Sequence, residues 1–310
     1  MHFPNQFRVV LALGALALWP AAHAVTVRDA QNRAVNVADI SRVVTLGGPV
    51  TETVFALGVG PQVVATDISS NYPAAAAALP RVGYYRQLSA ESIIALKPTL
   101  VIGNEDSGPP VVLEQLQAAN IALLILPKST SPAVTKKNIV TLGQVFGRDA
   151  QATALNRNLD AQLVQAARLR SSVTRQVKVM FIYARGSNMI QVGGRNTSAD
   201  GMIRLAGGRN VFSNFEGYRP LTPEAAVSAN PDYILMLNDG LASVGGVEGV
   251  LKLPGIAQTN AGKNRRIISM DGNFLLDFGP RLGDAAKDLA LKLYPWLLYT
   301  SPSPREQRGS

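Results

Sequence analysis

Short apolar runs alternate along this chain with stretches in which apolar residues recur every three or four positions. The runs are rich in Val, Ile and Leu and predict buried strands. They cover residues 42–46, 62–66, 99–103, 122–126, 177–183, 233–237 and 266–270. The periodic stretches predict helices between the strands, among them residues 51–57, 111–119 and 198–206. Strands that alternate with helices favour parallel sheets covered by helices, so the pattern predicts an α/β fold with parallel central sheets.

One long segment interrupts this alternation. Residues 131–170 have helical periodicity throughout, with no proline after Pro132, and residues 150–170 are rich in alanine and amphipathic. The alternation resumes afterwards, so we expect two α/β lobes joined by a long backbone helix. The expected divisions are a signal peptide at 1–24, an N-terminal lobe at 25–145, the linking helix at 146–172, a C-terminal lobe at 173–296 and a disordered or non-native tail at 297–310.

The first 24 residues predict an export signal rather than a part of the fold. Arg8 provides a positive start, residues 9–19 form an apolar run, and Ala22 and Ala24 form a small-x-small cleavage site. No other segment reaches the roughly 18 uninterrupted apolar residues of a membrane-spanning helix. We therefore expect a protein that is exported to the periplasm and is soluble there.

The chain has no cysteine, and its two histidines, His2 and His23, both lie in the predicted signal peptide. Nucleophilic catalysis by Ser–His or Cys–His pairs needs an imidazole that the mature chain lacks. Zinc sites usually rest on His or Cys as well. Without cysteine we also expect no lipid anchor at the N-terminus. A carboxylate-based hydrolase, using for example Glu216 with Asp239, stays open as a distant alternative.

The formal net charge of +9 raises the question of nucleic acid as a partner. The basic residues are scattered, however, with no run longer than the pairs 136–137 and 265–266 and no interleaved aromatic residues. We therefore expect no nucleic acid as a partner. A basic surface is compatible with an anionic ligand.

An internal repeat supports the division into two lobes. Residues 83–102 (GYYRQLSAESIIALKPTLVI) and 217–235 (GYRPLTPEAAVSANPDYIL) both contain Gly-Tyr, an Arg and then Leu-Ser/Thr-x-Glu. Pro98 and Pro231 follow the two glutamates at the same distance and end the predicted helices.

Each repeat predicts a capped helix. Ser89 and Thr222 are the predicted N-caps, and Glu91 and Glu224 lie in the first turn, where a carboxylate favours the positive helix end. Either helix alone is explained by ordinary capping. Because the same element recurs in both lobes, a shared function of the two glutamates is the second interpretation.

The chain resembles the periplasmic heme-binding proteins of bacterial heme ABC importers, which belong to the helix-backbone class (class III periplasmic binding protein-like) together with vitamin B12 and siderophore binders. The resemblance spans residues 41–295 and rests on five stretches in this order: VVTLGGPVTETVFALG, VGYYRQLSAESIIALKPTLVI, GGRNTSADGMIRLAGGRNVF, GYRPLTPEAAVSANPDYIL and LPGIAQTNAGKNRRIISMDG. It implies a monomeric carrier, not an enzyme, that takes heme in the cleft between the lobes. It also implies delivery to an inner-membrane ABC permease dimer with its ATPase, with an outer-membrane heme receptor upstream.

The resemblance assigns the axial iron ligand to Tyr84 and a supporting role to Arg86. The chemistry agrees, because a phenolate is the best remaining donor for ferric heme in a chain without His or Cys. A free phenol has a pKa of about 10, so its ionisation at pH 7 costs about 4 kcal/mol. The iron and a neighbouring guanidinium can offset that cost. Tyr85 is interpreted as a packing residue, with a ligand role as the alternative.

The remaining implied residues lie on the second lobe and at the cleft rim. Tyr218 occupies the position across the cleft and is interpreted as a stacking or gating residue. Relatives that stack two hemes carry a histidine where this chain has Arg185, which becomes a candidate partner for a heme propionate. Glu91 and Glu224 are the implied contacts to arginines of the two permease subunits. A siderophore or corrinoid carrier of the same fold is the main alternative, although it gives no reason for the Tyr-x-Arg arrangement.

Overall fold

The computed structural model of the protein describes residues 24–297. The predicted signal peptide up to residue 23 and the predicted tail from residue 298 lie outside the described residues. Within this range, none of the helices combines the length and the apolar character needed to cross a membrane.

The N-terminal lobe is built on a four-stranded parallel sheet in the order β4-β3-β7-β8. Two antiparallel hairpins, β1-β2 and β5-β6, flank it. The strands are β1 Val25–Arg28, β2 Ala34–Val37, β3 Val43–Thr45, β4 Val63–Thr66, β5 Gly83–Tyr84, β6 Gln87–Leu88, β7 Leu100–Asn104 and β8 Ala122–Leu126. The helices are α1 Gly48–Ala56, α2 Ala74–Ala77, α3 Ala90–Ile94, α4 Pro110–Ala118 and α5 Pro132–Phe146. The strand predicted at 122–126 is confirmed residue for residue.

A second lobe with a six-stranded sheet follows the long helix α6, Asp149–Ser171. Its strands are β9 Lys178–Ala184, β10 Ile190–Gly193, β11 Arg209–Asn210, β12 Tyr218–Pro220, β13 Tyr233–Leu237 and β14 Ile267–Met270. Its helices are α7 Ser198–Leu205, α8 Pro223–Ala229, α9 Asn238–Ser243, α10 Gly246–Leu251, α11 Asn260–Lys263, α12 Gly272–Leu276 and α13 Leu282–Leu293. The predicted α/β fold is therefore confirmed.

The second sheet is parallel only in part. Strands β11, β13 and β14 run parallel with β9 or with one another, as predicted, whereas β10 and β12 join antiparallel at one edge. Only residues 185–189 separate β9 from β10, and a parallel pair needs a crossover of a dozen residues or more. The short connection therefore makes this edge a hairpin.

The segment from 131 to 170 is two helices rather than one continuous helical run. Gly147 ends α5 with a left-handed φ of 60°, and its amide bonds back to the carbonyl of Gln144. The second helix, α6, then spans 23 residues with Ala152, Leu159 and Ala166 buried along one face. Helical periodicity alone does not reveal this break, because the apolar residues continue on both sides of it.

The hydrophobic core passes from one lobe into the other. One contiguous cluster contains Leu100 of the first sheet, Leu159 of α6, Phe181 of the second sheet and Leu289 of α13, all fully buried. A Cβ at Gly283 of α13 would collide with Gln162 of α6, so the two helices pack closely. The lobes are thus joined by packed helices and a shared core.

A polar clasp crosses between the lobes in front of this core. Arg281 donates two hydrogen bonds, of 2.9 and 2.8 Å, to the carboxylate of Glu52, which is only 6% exposed. The same guanidinium lies 3.5 Å from the ring centroid of Tyr72. Thr135 donates to the carbonyl of Phe278 at 2.7 Å and adds a further contact between the lobes. Removing one partner of such a bidentate pair is costly, because the other charge is then left buried without compensation.

We expect Arg281→Met to destabilise the protein by about 3 kcal/mol, because it leaves the carboxylate of Glu52 buried without a cation. Chemical denaturation at pH 7 measures the change in the free energy of unfolding. The control is Lys136→Met, which breaks the exposed pair with Asp160 and should cost at most about 1 kcal/mol. Equal losses in the two variants would contradict a special role for the clasp.

Candidate functional site

A cavity of about 590 Å³ opens between the two lobes, within the ~300–1,000 Å³ range of small-molecule sites. Both lobes supply its walls, and tyrosines face it from either side. Its lining residues are Pro49, Tyr84, Arg86, Asn104, Asp106, Lys128, Ser129, Thr130, Tyr183, Gln191, Asn196, Thr197, Ser198, Gly217, Tyr218, Leu276 and Asp277. The lining mixes aromatic faces with basic, acidic and hydroxyl groups.

The wall on the N-terminal lobe is formed by the tight hairpin β5-β6. Tyr84 pairs with Gln87, so Tyr85 and Arg86 form the two-residue turn. Gly83 enters the hairpin with a φ of 95°, a conformation that favours glycine. Tyr84 and Arg86 line the cavity, whereas Tyr85 packs against the hydrophobic cluster behind the sheet. This placement agrees with the prediction that Tyr85 is a packing residue.

The side chain of Arg86 is held by Tyr85 and Asp106 rather than by Tyr84. Its Nε donates to the hydroxyl of Tyr85 at 3.0 Å, and its guanidinium pairs with Asp106 at 2.7 Å. The hydrogen bond that the family resemblance assigns to Tyr84 is therefore made to Tyr85 in this structure. Burial raises the pKa of Tyr85 to about 12, although Arg86 acts in the opposite direction. Support of Tyr84 by Arg86 stays a prediction.

Two charged lining residues of this wall, Asp106 and Lys128, were missed by the sequence analysis. Lys128 pairs with Asp106 at 2.8 Å, so one carboxylate holds both cations at the edge of the cavity. Asp106 follows β7 and Lys128 follows β8. These are the carboxyl ends of neighbouring parallel strands, where ligands of open α/β sheets bind, and that position was a usable signal.

The opposite wall belongs to the second lobe and carries two tyrosines. Tyr218 lies in β12, 41% exposed, with its ring centroid 6.1 Å from that of Tyr183 and 6.4 Å from that of Phe181. Partial burial raises the pKa of Tyr218, Tyr183 raises it further, and Arg86 across the cavity acts to lower it. Tyr218 therefore shares one cavity with Tyr84 and Arg86, as the repeat predicted.

Arg185 lies beside the cavity rather than in its lining. It is exposed, donates from Nε to the hydroxyl of Tyr183 at 2.6 Å, and lies over that ring at 5.7 Å. The structure thus connects Arg185 to the cavity only through Tyr183. A propionate contact by this residue stays a prediction.

The two repeat glutamates are exposed and do not line the cavity. Glu91 lies in the first turn of α3 and Glu224 in the first turn of α8. Thr222 caps its helix by accepting from the amide of Ala225 at 3.2 Å. The expected side-chain cap is absent at Ser89, whose side chain makes no cap hydrogen bond in the described structure. A side-chain cap therefore does not account for Ser89 in the first repeat, while Glu91 keeps its place in the first turn of the helix.

The carboxylates considered for a hydrolase, Glu216 and Asp239, do not face the cavity. Glu216 is exposed and lies 3.6 Å from Arg195, while Asp239 lies in the first turn of α9. Neither belongs to the cavity lining. The described residues also contain no group of three or more His, Cys, Asp or Glu side chains that could hold a metal ion.

The floor of the cavity contains one more carboxyl group, that of Asp277. Burial raises its pKa well above the ordinary range, and the neighbouring carboxylates of Glu52, Asp67 and Asp271 raise it further, with Arg281 opposing. A side-chain carbon at Gly48 would collide with this carboxyl, so the floor is closely packed. The carboxyl of Asp277 therefore keeps its proton to a higher pH than the carboxyl of an exposed aspartate does.

The sequence family of periplasmic binding proteins matches residues 43–274, and the chain belongs to this family. Two solved structures with similar folds are periplasmic heme-binding proteins. RhuT from Roseiflexus sp. RS-1, in apo form, is 42% identical with a TM-score of 0.81 and covers 84% of this chain and 100% of its own. BhuT in complex with two hemes is 36% identical with a TM-score of 0.79 and covers 83% of this chain and 98% of its own.

Curated sequence relatives are more distant. An uncharacterized ABC transporter substrate-binding lipoprotein of Bacillus subtilis (strain 168), YvrC, is 28% identical over 87% of this chain and 86% of its own length. A vitamin B12-binding protein of Vibrio parahaemolyticus is 27% identical over 65% of this chain and 74% of its own length. The relatives thus include binders of two different macrocyclic ligands.

We expect Asp277→Asn to stabilise the protein at neutral pH. A raised carboxyl pKa means that the folded state resists ionisation. Above about pH 4 this carboxyl ionises readily in the unfolded chain but not in the folded protein, which favours unfolding. A neutral amide at the same position has no such effect. The gain in the melting temperature should therefore be small near pH 4 and should grow towards pH 7. A gain that is independent of pH, or a loss at pH 7, would show that the carboxyl is not kept neutral.

Proposed function

We propose that this chain is a periplasmic heme carrier that binds hemin in the cavity between the lobes, with the phenolate of Tyr84 as the axial iron ligand. The observation that carries the proposal is the position of Tyr84 and Tyr218 on opposite walls of one cavity, with Arg86 of the Tyr84 wall in electrostatic reach of Tyr218. A flat macrocycle fits between two aromatic walls, and its anionic groups match the cations Arg86 and Lys128.

The ligand chemistry supports this assignment. No His or Cys occurs in residues 24–297, and no Met lines the cavity, so a tyrosine oxygen is the strongest donor available to the iron. Of the two tyrosines in the turn, only Tyr84 faces the cavity, whereas burial works against ionisation of Tyr85. The ring centroids of Tyr84 and Tyr85 are 5.0 Å apart, and Arg86 interacts electrostatically with both phenols, so its N–H can exchange one phenol oxygen for the other if the side chain moves. We infer that this exchange accompanies heme binding.

A corrinoid carrier is the second candidate, because vitamin B12-binding proteins are among the sequence relatives. Heme is favoured for two reasons. The heme-binding proteins RhuT and BhuT are more similar in sequence, at 42% and 36% identity. The Tyr84 phenol also faces the cavity, where its phenolate can coordinate the iron(III) of heme. A siderophore carrier shares the fold but leaves this tyrosine without a role.

The delivery partner we propose is an ABC permease dimer with its ATPase, supported by the ABC transporter substrate-binding role of YvrC. Glu91 and Glu224 begin equivalent helices in the two lobes and are exposed outside the cavity. Two similar carboxylates on a two-lobed protein suit a partner with two-fold symmetry. An outer-membrane heme receptor upstream, a monomeric state and a propionate contact by Arg185 complete the proposal.

Tyr84→Phe should abolish the visible spectrum of tyrosinate-bound ferric heme and weaken hemin binding by more than tenfold, since it removes the iron bond but keeps the ring. The matched control is Tyr85→Phe, which should retain that spectrum. Absorption titrations with hemin, and with cyanocobalamin in parallel, measure both. Survival of the tyrosinate spectrum in Tyr84→Phe, or tight binding of cyanocobalamin alone, would overturn the assignment.

Glu91→Lys combined with Glu224→Lys should leave hemin affinity unchanged but block transfer of heme to a permease reconstituted in vesicles. The charge reversal replaces attraction to cationic groups of the permease with repulsion. The control reverses two exposed carboxylates on other helices, Glu114→Lys with Asp160→Lys, at the same change in net charge. Normal transfer by the first variant would reduce both glutamates to helix-terminal residues.

A further inference from the structure

A second cavity lies on the C-terminal lobe, away from the one between the lobes. It has a volume of about 450 Å³ and shares no lining residue with the first. Four arginines from four separate segments of the chain line it: Arg170 at the end of α6, Arg195 before α7, Arg204 in α7 and Arg209 in β11. Its only acidic lining residue is Asp200.

The positive charges of this cavity are poorly compensated. Arg204 lies 3.4 Å from Asp200, and Arg195 lies 3.6 Å from Glu216, beyond ordinary hydrogen-bond distance in both cases. The side chains of Arg170 and Arg209 have no ion pair or hydrogen bond within residues 24–297. Even if both carboxylates are counted, two guanidinium groups in the cavity are left without a counter-charge.

The neutral groups of the cavity also favour an anion, whereas its one carboxylate, Asp200, opposes it. Gln176 and Ser213 line it with side chains that make no hydrogen bond in the described structure and can act as donors. Asp200 is 4% exposed, and its Oδ2 has no hydrogen-bond partner. The one arginine that pairs with this carboxylate in the described structure is Arg204. Four guanidinium groups around one concave site raise the local concentration of anions.

We propose that this arginine cavity binds a multiply charged phosphate-bearing anion. Guanidinium groups match phosphate oxygens in bidentate geometry, and a dianion or trianion offsets the charge that Asp200 and Glu216 leave uncompensated. The same chemistry occurs in soluble polyphosphates and in the headgroups of anionic phospholipids. The site is separate from the heme cavity, so the proposal does not rest on the function proposed above.

Inorganic pyrophosphate serves as the soluble probe. Calorimetry with the wild-type protein at low salt should show one bound pyrophosphate per chain, and Arg170→Gln with Arg209→Gln should weaken it at least tenfold. Both arginines lack partners, so their replacement removes repulsion and should not lower the melting temperature. The matched control is Arg157→Gln, an exposed arginine elsewhere on α6, which should bind pyrophosphate as the wild type does. Ser213→Glu provides a second variant, which places a negative charge in the cavity without removing an arginine.

Vesicles distinguish the two sources of phosphate. Co-sedimentation with vesicles that contain cardiolipin, whose headgroup bears two phosphates, but no binding of pyrophosphate, assigns the cavity to a lipid headgroup, provided that the double variant and Ser213→Glu lose vesicle binding and Arg157→Gln does not. Binding of pyrophosphate assigns it to a soluble anion. Binding of neither probe overturns the proposal. Equal loss in Arg157→Gln also overturns it, because the overall positive charge of the protein would then explain the binding.

Discussion

The continuous hydrophobic core between the lobes is the constraint on which the rest of the structure depends. Leu159 of α6 and Leu289 of α13 are fully buried in the same cluster as the two sheets. Each fully buried leucine of this kind contributes about 1.5–3 kcal/mol relative to exposure. A large opening of the lobes would expose this surface to water and break the Glu52–Arg281 pair in front of it. The relative position of the lobes is therefore set by packing rather than by a flexible hinge.

A fixed arrangement of the lobes means that the cavity exists before a ligand arrives. Its tyrosines face one another across a space that the core holds open, and Tyr84 is positioned by a two-residue turn behind Gly83. A preorganised site loses little conformational freedom on binding, which favours affinity for a rigid planar ligand. The part that does have freedom is Arg86, which is half-exposed and shared between Tyr85 and Asp106. Arg86 is thus a cation of this wall that is exposed enough to change partners, while the tyrosine beside it is fixed by the turn.

Charge is distributed unevenly over this framework. The cavity between the lobes combines the Arg86–Asp106–Lys128 group with the carboxyl of Asp277, whose pKa is raised by burial and by neighbouring carboxylates. The arginine cavity on the second lobe has an excess of cations instead. Surface ion pairs are worth at most about 1 kcal/mol, so neither arrangement is explained by stability alone. Uncompensated charge in a concave site is more readily understood as a match to a ligand.

The α/β fold could be predicted from local patterns in the sequence, whereas the expectation that Tyr84 and Tyr218 line one cleft came from the repeat together with the family resemblance. Buried parallel strands are continuous apolar runs, and the predictions for 122–126 and 233–237 agree residue for residue with β8 and β13. The repeat around Gly83 and Gly217 identified two equivalent tyrosines without any coordinates. The absence of His and Cys from residues 24–297 left tyrosine as the strongest donor for the heme iron that we propose.

Contacts between distant residues were decided only by the tertiary structure. The Glu52–Arg281 clasp joins side chains 229 positions apart, and no periodicity marks either of them. The partner of Arg86 is Tyr85 rather than Tyr84 because Tyr84 points into the cavity while its neighbour packs behind the turn. The four arginines of the second cavity are scattered in sequence and converge only when α6, α7 and β11 pack together. A sequence records local patterns of burial and turn formation, whereas electrostatic partners are set by distances that only the packed fold defines.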